Sequence, residues 1–152
     1  IMRSLERTLG KESYPVLETF VEDIVSASSI IVRGEGEAES YSALLRESIE
    51  KFYPEKKIIW NPQGEEEADL CLAVSITGKE KLTMDSISRV VFAGGKADVI
   101  SANPQSLISK AATNAIQVSD ELFFKGDEHI LGKFSILAVI EILTVLMGKD
   151  KV

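Results

Sequence analysis

Asp69-Leu-Cys-Leu-Ala-Val-Ser-Ile-Thr-Gly-Lys-Glu80 holds five consecutive apolar residues, Leu70 to Val74, and then changes chemistry abruptly at Ser75. Apolar residues without alternation suit a strand covered on both faces, as at the centre of a parallel sheet. Ser75, Thr77 and Gly78 form a short polar turn, and a helical pattern opens near Leu82. A buried strand, a hydroxyl-bearing turn with glycine and a helix N-terminus together make an anion cradle. Free backbone N–H groups and the positive end of the helix dipole both face the turn.

The flanking sequence repeats the strand-then-helix pattern. Pro15 suits the first turn of a helix capped by Ser13, and Leu17, Phe20, Val21, Ile24 and Val25 follow helical spacing. Ile30, Ile31 and Val32 form a β-branched run closed by Gly34 and Gly36. A helix over residues 38–52 carries Tyr41, Leu44, Leu45, Ile49 and Phe52, and residues 57–60 read as a second strand. Beyond the central strand, Met84, Ile87, Val90 and Val91 mark a helix ended by Gly94 and Gly95. Residues 97–101 and 114–118 read as two more strands, with a short helix at Leu107, Ile108 and Ala111 between them. Residues 119–129 read as a loop carrying Phe123, Phe124 and His129, and an apolar helix from about Leu131 to Met147 closes the chain.

Short strands alternating with helices imply parallel βαβ units with right-handed crossovers. The expectation is a three-layer αβα sandwich around a five-stranded parallel sheet of order 2-1-3-4-5. At 152 residues the chain suits one domain, with its core over about 14–148. In such a sheet the ligand crevice opens beyond the C-terminal strand ends, where strand order reverses. That point lies between strands one and three, so Gly34-Glu35-Gly36 should face residues 75–80 across it.

Composition narrows the function. The chain is 45% hydrophobic and 27% charged, with 17 basic against 24 acidic residues and a net charge of −7. An acidic balance argues against nucleic acid as the main partner, because phosphate-backbone contacts need clustered Lys and Arg. A small phosphorylated ligand needs only a local site. Cys71 is the single cysteine and His129 the single histidine, so neither a disulfide within the chain nor a Cys/His metal site is expected. Glu65, Glu66 and Glu67 read as a solvated loop. The apolar stretch 134–147 is shorter than the roughly 20 residues of a membrane span and contains Glu141. Residues 1–10 lack the layout of a signal peptide. These readings give a cytoplasmic protein with no cofactor, no metal and no membrane contact. The last helix is apolar nearly all round, which calls for cover by a partner subunit in a homodimer or homotetramer.

Four motifs, in order, resemble the sugar isomerase (SIS) domain, and within it the small archaeal-type 6-phospho-3-hexuloisomerases. Val32-Arg33-Gly34-Glu35-Gly36-Glu37-Ala38 lies where that family has a Gly-x-Gly-Arg-Ser turn, and residues 75–80 lie on its Ser-Gly-Ser-Gly-Glu-Thr phosphate loop. Residues 99–106 are similar to its Thr-x-Asn-Pro-x-Ser turn, and Leu131-Gly132 with the apolar run after them is similar to its last helix. The resemblance implies an SIS, flavodoxin-like fold and a phosphorylated sugar as ligand. It also implies Gly34, Gly36, Ser75, Ile76, Thr77, Gly78, Lys79 and Glu80 as its binding residues.

The chain also departs from that pattern. Glu37 and Ala38 stand in place of Arg-Ser, Ile76 in place of a glycine, and Lys79-Glu80 in place of Glu-Thr. The family's glutamate base at the start of the last helix falls on Ile136, or on Ser135 with a one-residue slip. Aldose–ketose isomerisation carries a proton between adjacent carbons and needs a base there. Glu35 and His129 are the candidate catalytic residues that remain, with Glu37 as a further carboxylate near the first turn. The implied function is a phosphosugar-binding protein of the isomerase family with weakened or lost catalysis; the alternative is a non-catalytic sensing or interaction subunit.

Overall fold

The computed structural model describes residues 14–103, 105–118 and 128–152, with residues 14 and 128–134 given by their backbone alone. Five strands form one parallel sheet: β1 (Ser29–Arg33), β2 (Lys57–Trp60), β3 (Leu70–Ser75), β4 (Lys96–Ser101) and β5 (Asn114–Gln117). Their order is β2-β1-β3-β4-β5, the order expected from the strand–helix alternation. The helices are α1 (Tyr14–Ser26), α2 (Glu39–Phe52), α3 (Lys81–Phe92), α4 (Leu107–Ala111) and α5 (Glu128–Asp150), with a 3-10 turn over Gly36–Ala38 before α2.

β3 holds the sheet together because both of its edges and both of its faces are covered. It pairs with β1 from Ile30↔Leu70 to Arg33↔Ala73 and with β4 from Leu70↔Lys96 to Ser75↔Ser101, and all six of its residues are buried. Successive side chains point to opposite faces. Leu70, Leu72 and Val74 join the larger core beneath α1, α2 and α5, with Phe20, Ile24, Leu45, Ile49, Ile140 and Leu143. Cys71 and Ala73 face α3 and α4, with Ile31, Ile87, Val90, Val99 and Ile108. Burial pushes the Cys71 thiol up to about 12, so at neutral pH it is a packing group and not a nucleophile.

The last helix differs from the sequence reading. It spans Glu128–Asp150, so the backbone of His129 lies within it and not in a loop before it. Backbone i→i+4 bonds need no apolar side chains, so the helix extends ahead of its apolar run. The expected cap at Ser13, and Phe123 and Phe124, lie outside the described residues. No helix among the described residues is long and apolar enough to cross a membrane, although α5 has 23 residues.

One polar group is buried within the larger core's edge. Asp98 on β4 is fully buried; Oδ1 accepts a bond from Asn114 Nδ2 at 3.0 Å, and Oδ2 has no hydrogen-bond partner. Asp23 of α1 stands beside it, bonded to Lys96 Nζ at 3.2 Å. Burial, and then the adjoining Asp23 carboxylate, push the Asp98 carboxyl up to about 8, against the bond from Asn114. The unfolded chain therefore releases this proton first as pH rises. The stability it contributes is complete below about pH 4 and is lost progressively towards pH 8. Asp98→Asn removes the titration, so the variant's stability relative to the wild type should grow between pH 4 and pH 8, by up to about 1.4 kcal/mol per pH unit. Urea denaturation at several pH values measures it, and a constant difference across that range would contradict the assignment.

Candidate functional site

The site forms where β1 and β3 end side by side and the chain leaves them in opposite directions. Past Arg33, Gly34 donates its N–H to Asn61 Oδ1 at 2.9 Å. A Cβ at Gly34 would stand 2.3 Å from Ser42 Oγ and 2.5 Å from the Ala38 carbonyl, so only glycine lets the β1 turn pack against α2. Gly36 follows at φ +59. Glu35, between them, reaches across the switch point. Its Oε1 accepts bonds from the Thr83 N–H and, at 2.9 Å, from the Thr83 hydroxyl in the first turn of α3. The β1 turn is therefore tied to the first turn of α3, through a carboxylate that takes up a free N–H of a helix N-terminus.

The turn after β3 wraps around a second carboxylate. Glu80 Oε1 accepts from Ser75 Oγ at 2.7 Å and from the Gly78 N–H at 3.1 Å. Glu80 Oε2 accepts from the Ile76 N–H at 3.0 Å and the Thr77 N–H at 3.2 Å. Four donors thus converge on one half-buried anion. Burial alone would push Glu80 up; the bonds from Ser75 and from the backbone outweigh it and hold the carboxyl below its ordinary value.

The remaining site residues shape this turn. The Ile76 side chain is buried in the larger core, so that residue contributes its N–H and an anchor. Thr77 Oγ1 accepts from the Lys79 N–H at 3.1 Å, and the Lys79 side chain is exposed. Gly78 has φ +77. The turn between β4 and α4 braces it: Asn103 Nδ2 donates to the Thr77 carbonyl at 3.0 Å, and Ser106 caps α4 through the Ser109 N–H. A cavity of about 250 Å³ opens beside the turn, lined by Gly78, Lys79, Glu80, Met84, Asp85 and Leu107, among others. A larger recess of about 350 Å³ lies at the opposite end of the strands, at Ser29, Asp69 and Gly95, away from this chemistry.

The structure thus brings together Gly34, Glu35, Gly36 and residues 75–80 at the switch point. The His129 side chain is outside what the structure describes. Ile136, on the family's base position, is fully buried in the larger core, and Ser135 beside it is buried too. No group of three or more His, Cys, Asp or Glu able to hold a metal occurs among the described residues. Sequence reasoning missed Asn103 and Arg33. Arg33 is buried under α3, its Nε donating to Ser86 Oγ at 3.1 Å and its Nη2 to the Pro62 carbonyl. The signal for it was a charged residue ending an apolar strand; that for Asn103 was Asn before Pro.

The packing around Gly78 sets a measurable contrast. A Cβ at Gly78 would lie 2.2 Å from Ser106 Cβ, whereas one at Gly94, at φ +94, would meet nothing within 4 Å. Gly94→Ala bears only the left-handed penalty, about 1–2 kcal/mol. Gly78→Ala bears that penalty and a collision with the β4–α4 turn, and should cost at least about 1 kcal/mol more. Equal losses in urea denaturation would mean that the turn is not braced as described.

No protein-family model matches the sequence, and no curated protein matches it. Solved structures do match in fold. NanR of Vibrio vulnificus, in complex with ManNAc-6P, superposes with a TM-score of 0.74 at 17% identity, over 98% of this chain; the chain spans 61% of the length of that protein. The sugar isomerase domain of an RpiR transcription factor from Sphaerobacter thermophilus gives 0.78 at 15% identity, over 99% of this chain and 86% of that one. A Methanococcus jannaschii protein, for which a 3-hexulose-6-phosphate isomerase function was inferred, gives 0.71 at 12% identity, over 97% and 84%. At these identities the likeness is one of architecture, and it agrees with the sheet order: the chain has the fold of the sugar isomerase domains.

Proposed function

We propose that this chain is a phosphosugar-binding domain that does not isomerise its ligand. The observation that carries the reading is the turn after β3, where one hydroxyl and three backbone N–H groups converge on an anion. A phosphate monoester presents three acceptor oxygens, and hydrogen bonds to a charged group contribute about 1.5–3 kcal/mol each. The fold supports the ligand class, since NanR with this architecture is seen with ManNAc-6P.

The case against turnover rests on the groups available. Ile136 has no ionisable group and the Ser135 hydroxyl does not ionise at neutral pH, and both are buried. Glu141 is exposed further along α5, and Oε1 of Glu35 is taken up by Thr83. A positioned general base contributes typically 10²–10⁴-fold, so its loss leaves isomerisation slow. The domain then serves as a sensor or a subunit. Leu137 and Val145 remain exposed on α5, which supports the further reading that it pairs as a homodimer or homotetramer; light scattering giving a monomer mass at micromolar concentration would reject that pairing.

The test is calorimetric titration with fructose 6-phosphate and with fructose, next to a coupled isomerase assay on hexulose 6-phosphate. Binding should require the phosphate, Ser75→Ala should weaken it at least tenfold, and turnover should stay at background. Equal affinity for the two sugars would reject the phosphate cradle. Robust turnover would reject the non-catalytic part and direct attention to His129 or Glu35.

A further inference from the structure

We propose that Glu80 is a tethered competitor for the phosphate: its own carboxylate keeps the cradle closed until a phosphorylated ligand displaces it. This rests on the reading of the 75–78 turn as a phosphate site. Every donor that would receive the phosphate is already bonded to Glu80. Ser75 Oγ and the Gly78 N–H go to Oε1, and the Ile76 and Thr77 N–H groups go to Oε2, all between 2.7 and 3.2 Å. The carboxylate is not needed there to cap α3, since Glu80 makes no side-chain capping bond to that helix.

A carboxylate and a phosphate cannot share one set of donors, because each N–H serves one strong acceptor and two anions a few ångströms apart repel. Ligand entry therefore requires Glu80 to rotate out. The move is open to it: its residue is half-buried at the mouth of the turn, beside the 250 Å³ cavity that it helps to line. Its flanking side chains, Lys79 and Lys81, are exposed.

The consequence is a site whose apparent affinity is reduced by the fraction of time that the cradle stands open. An internal anion held by four bonds keeps that fraction small. Only a ligand whose phosphate and sugar both find contacts gains enough to open the turn, whereas inorganic phosphate, with no sugar contacts, should fail. Glu80 is then a specificity-determining residue, raising the threshold against small free anions.

The experiment compares wild type, Glu80→Ala and Glu80→Gln by calorimetric titration with inorganic phosphate and with fructose 6-phosphate, and follows thermal unfolding with and without each. Glu80→Ala empties the cradle. It should bind fructose 6-phosphate at least tenfold more tightly than the wild type and acquire affinity for inorganic phosphate that the wild type lacks. Its melting temperature should fall without ligand and be raised by inorganic phosphate. Glu80→Gln, which keeps an acceptor but no charge, should lie between the two, and it carries the test should Glu80→Ala not fold. Unchanged affinities in a folded variant that binds fructose 6-phosphate would overturn the competitor role and leave the phosphate site standing. Absence of fructose 6-phosphate binding in wild type and variants alike would overturn the site itself, and the competitor with it.

Discussion

Three consecutive N–H groups, those of Ile76, Thr77 and Gly78, leave the central strand without a sheet or helix partner, and they meet on the Glu80 carboxylate. No sheet neighbour can take them, because β3 ends at Ser75 and its pairing with β4 stops at Ser101. No helix takes them either, because α3 begins at Lys81. Unpaired donors in a partly buried turn cost about 1–3 kcal/mol each. Much of the site's construction answers that demand. Gly78 adopts φ +77 so that its N–H turns inward, Asn103 fixes the Thr77 carbonyl from outside, and the Ile76 side chain pins the turn to the core. Glu80 then supplies both acceptor oxygens.

The same economy operates on the other side of the crevice. Glu35 comes from the β1 turn and its carboxylate ends at the N-terminus of α3, while Glu80, the residue before that helix, turns its carboxylate back onto the 75–78 turn. A helix end carries roughly half a positive charge, so it favours an acidic neighbour. Glu35 supplies it. The arrangement links β1, β3 and α3 at the point where strand order reverses, and it occupies donors that a ligand phosphate would otherwise meet free. What strengthens the crevice as structure weakens it as an open anion site. Natural sites often trade stability for function in this way.

The architecture was legible because its signals are periodic and local. Leu70 to Val74 suits a strand buried on both faces, and the strand–helix alternation with handed crossovers narrowed the topology to a few orders, of which 2-1-3-4-5 was the one expected. The positions of both turns followed from that topology. What was not legible is how side chains fold back on the turns. Glu80 lies five residues from Ser75 and two from Gly78, a spacing that reads equally well as a solvated residue before a helix. Its partners are backbone groups, which leave no trace in composition. Asp98 looked like a polar residue in a strand; its burial beside Asp23 depends on α1, which lies some 75 residues earlier in the chain. His129 was misplaced because helix starts lacking an apolar marker are not visible in periodicity.

Ile136 shows why fold and chemistry separate in this chain. An α-helix turns 100° per residue, so the residue facing a crevice and the one facing the core stand one or two positions apart. Ile136 packs with Val139, Ile140 and Leu143 on the core stripe, and that stripe is what holds α5 to α1 and α2. A carboxylate at this position would be taken from water into apolar surroundings, at a cost of several kcal/mol unless paired. None of its apolar neighbours could pair it. The helix thus has its register set by packing, and an isoleucine in that register puts no carboxylate there while the sheet and the turns stay intact. Three of the four donors that converge in the turn after β3 are backbone N–H groups set by the fold, whereas a proton-transfer base would be one side chain at one angle on one helix. The first persists under substitutions that eliminate the second, which is why the cradle is the part of this site from which function can be argued.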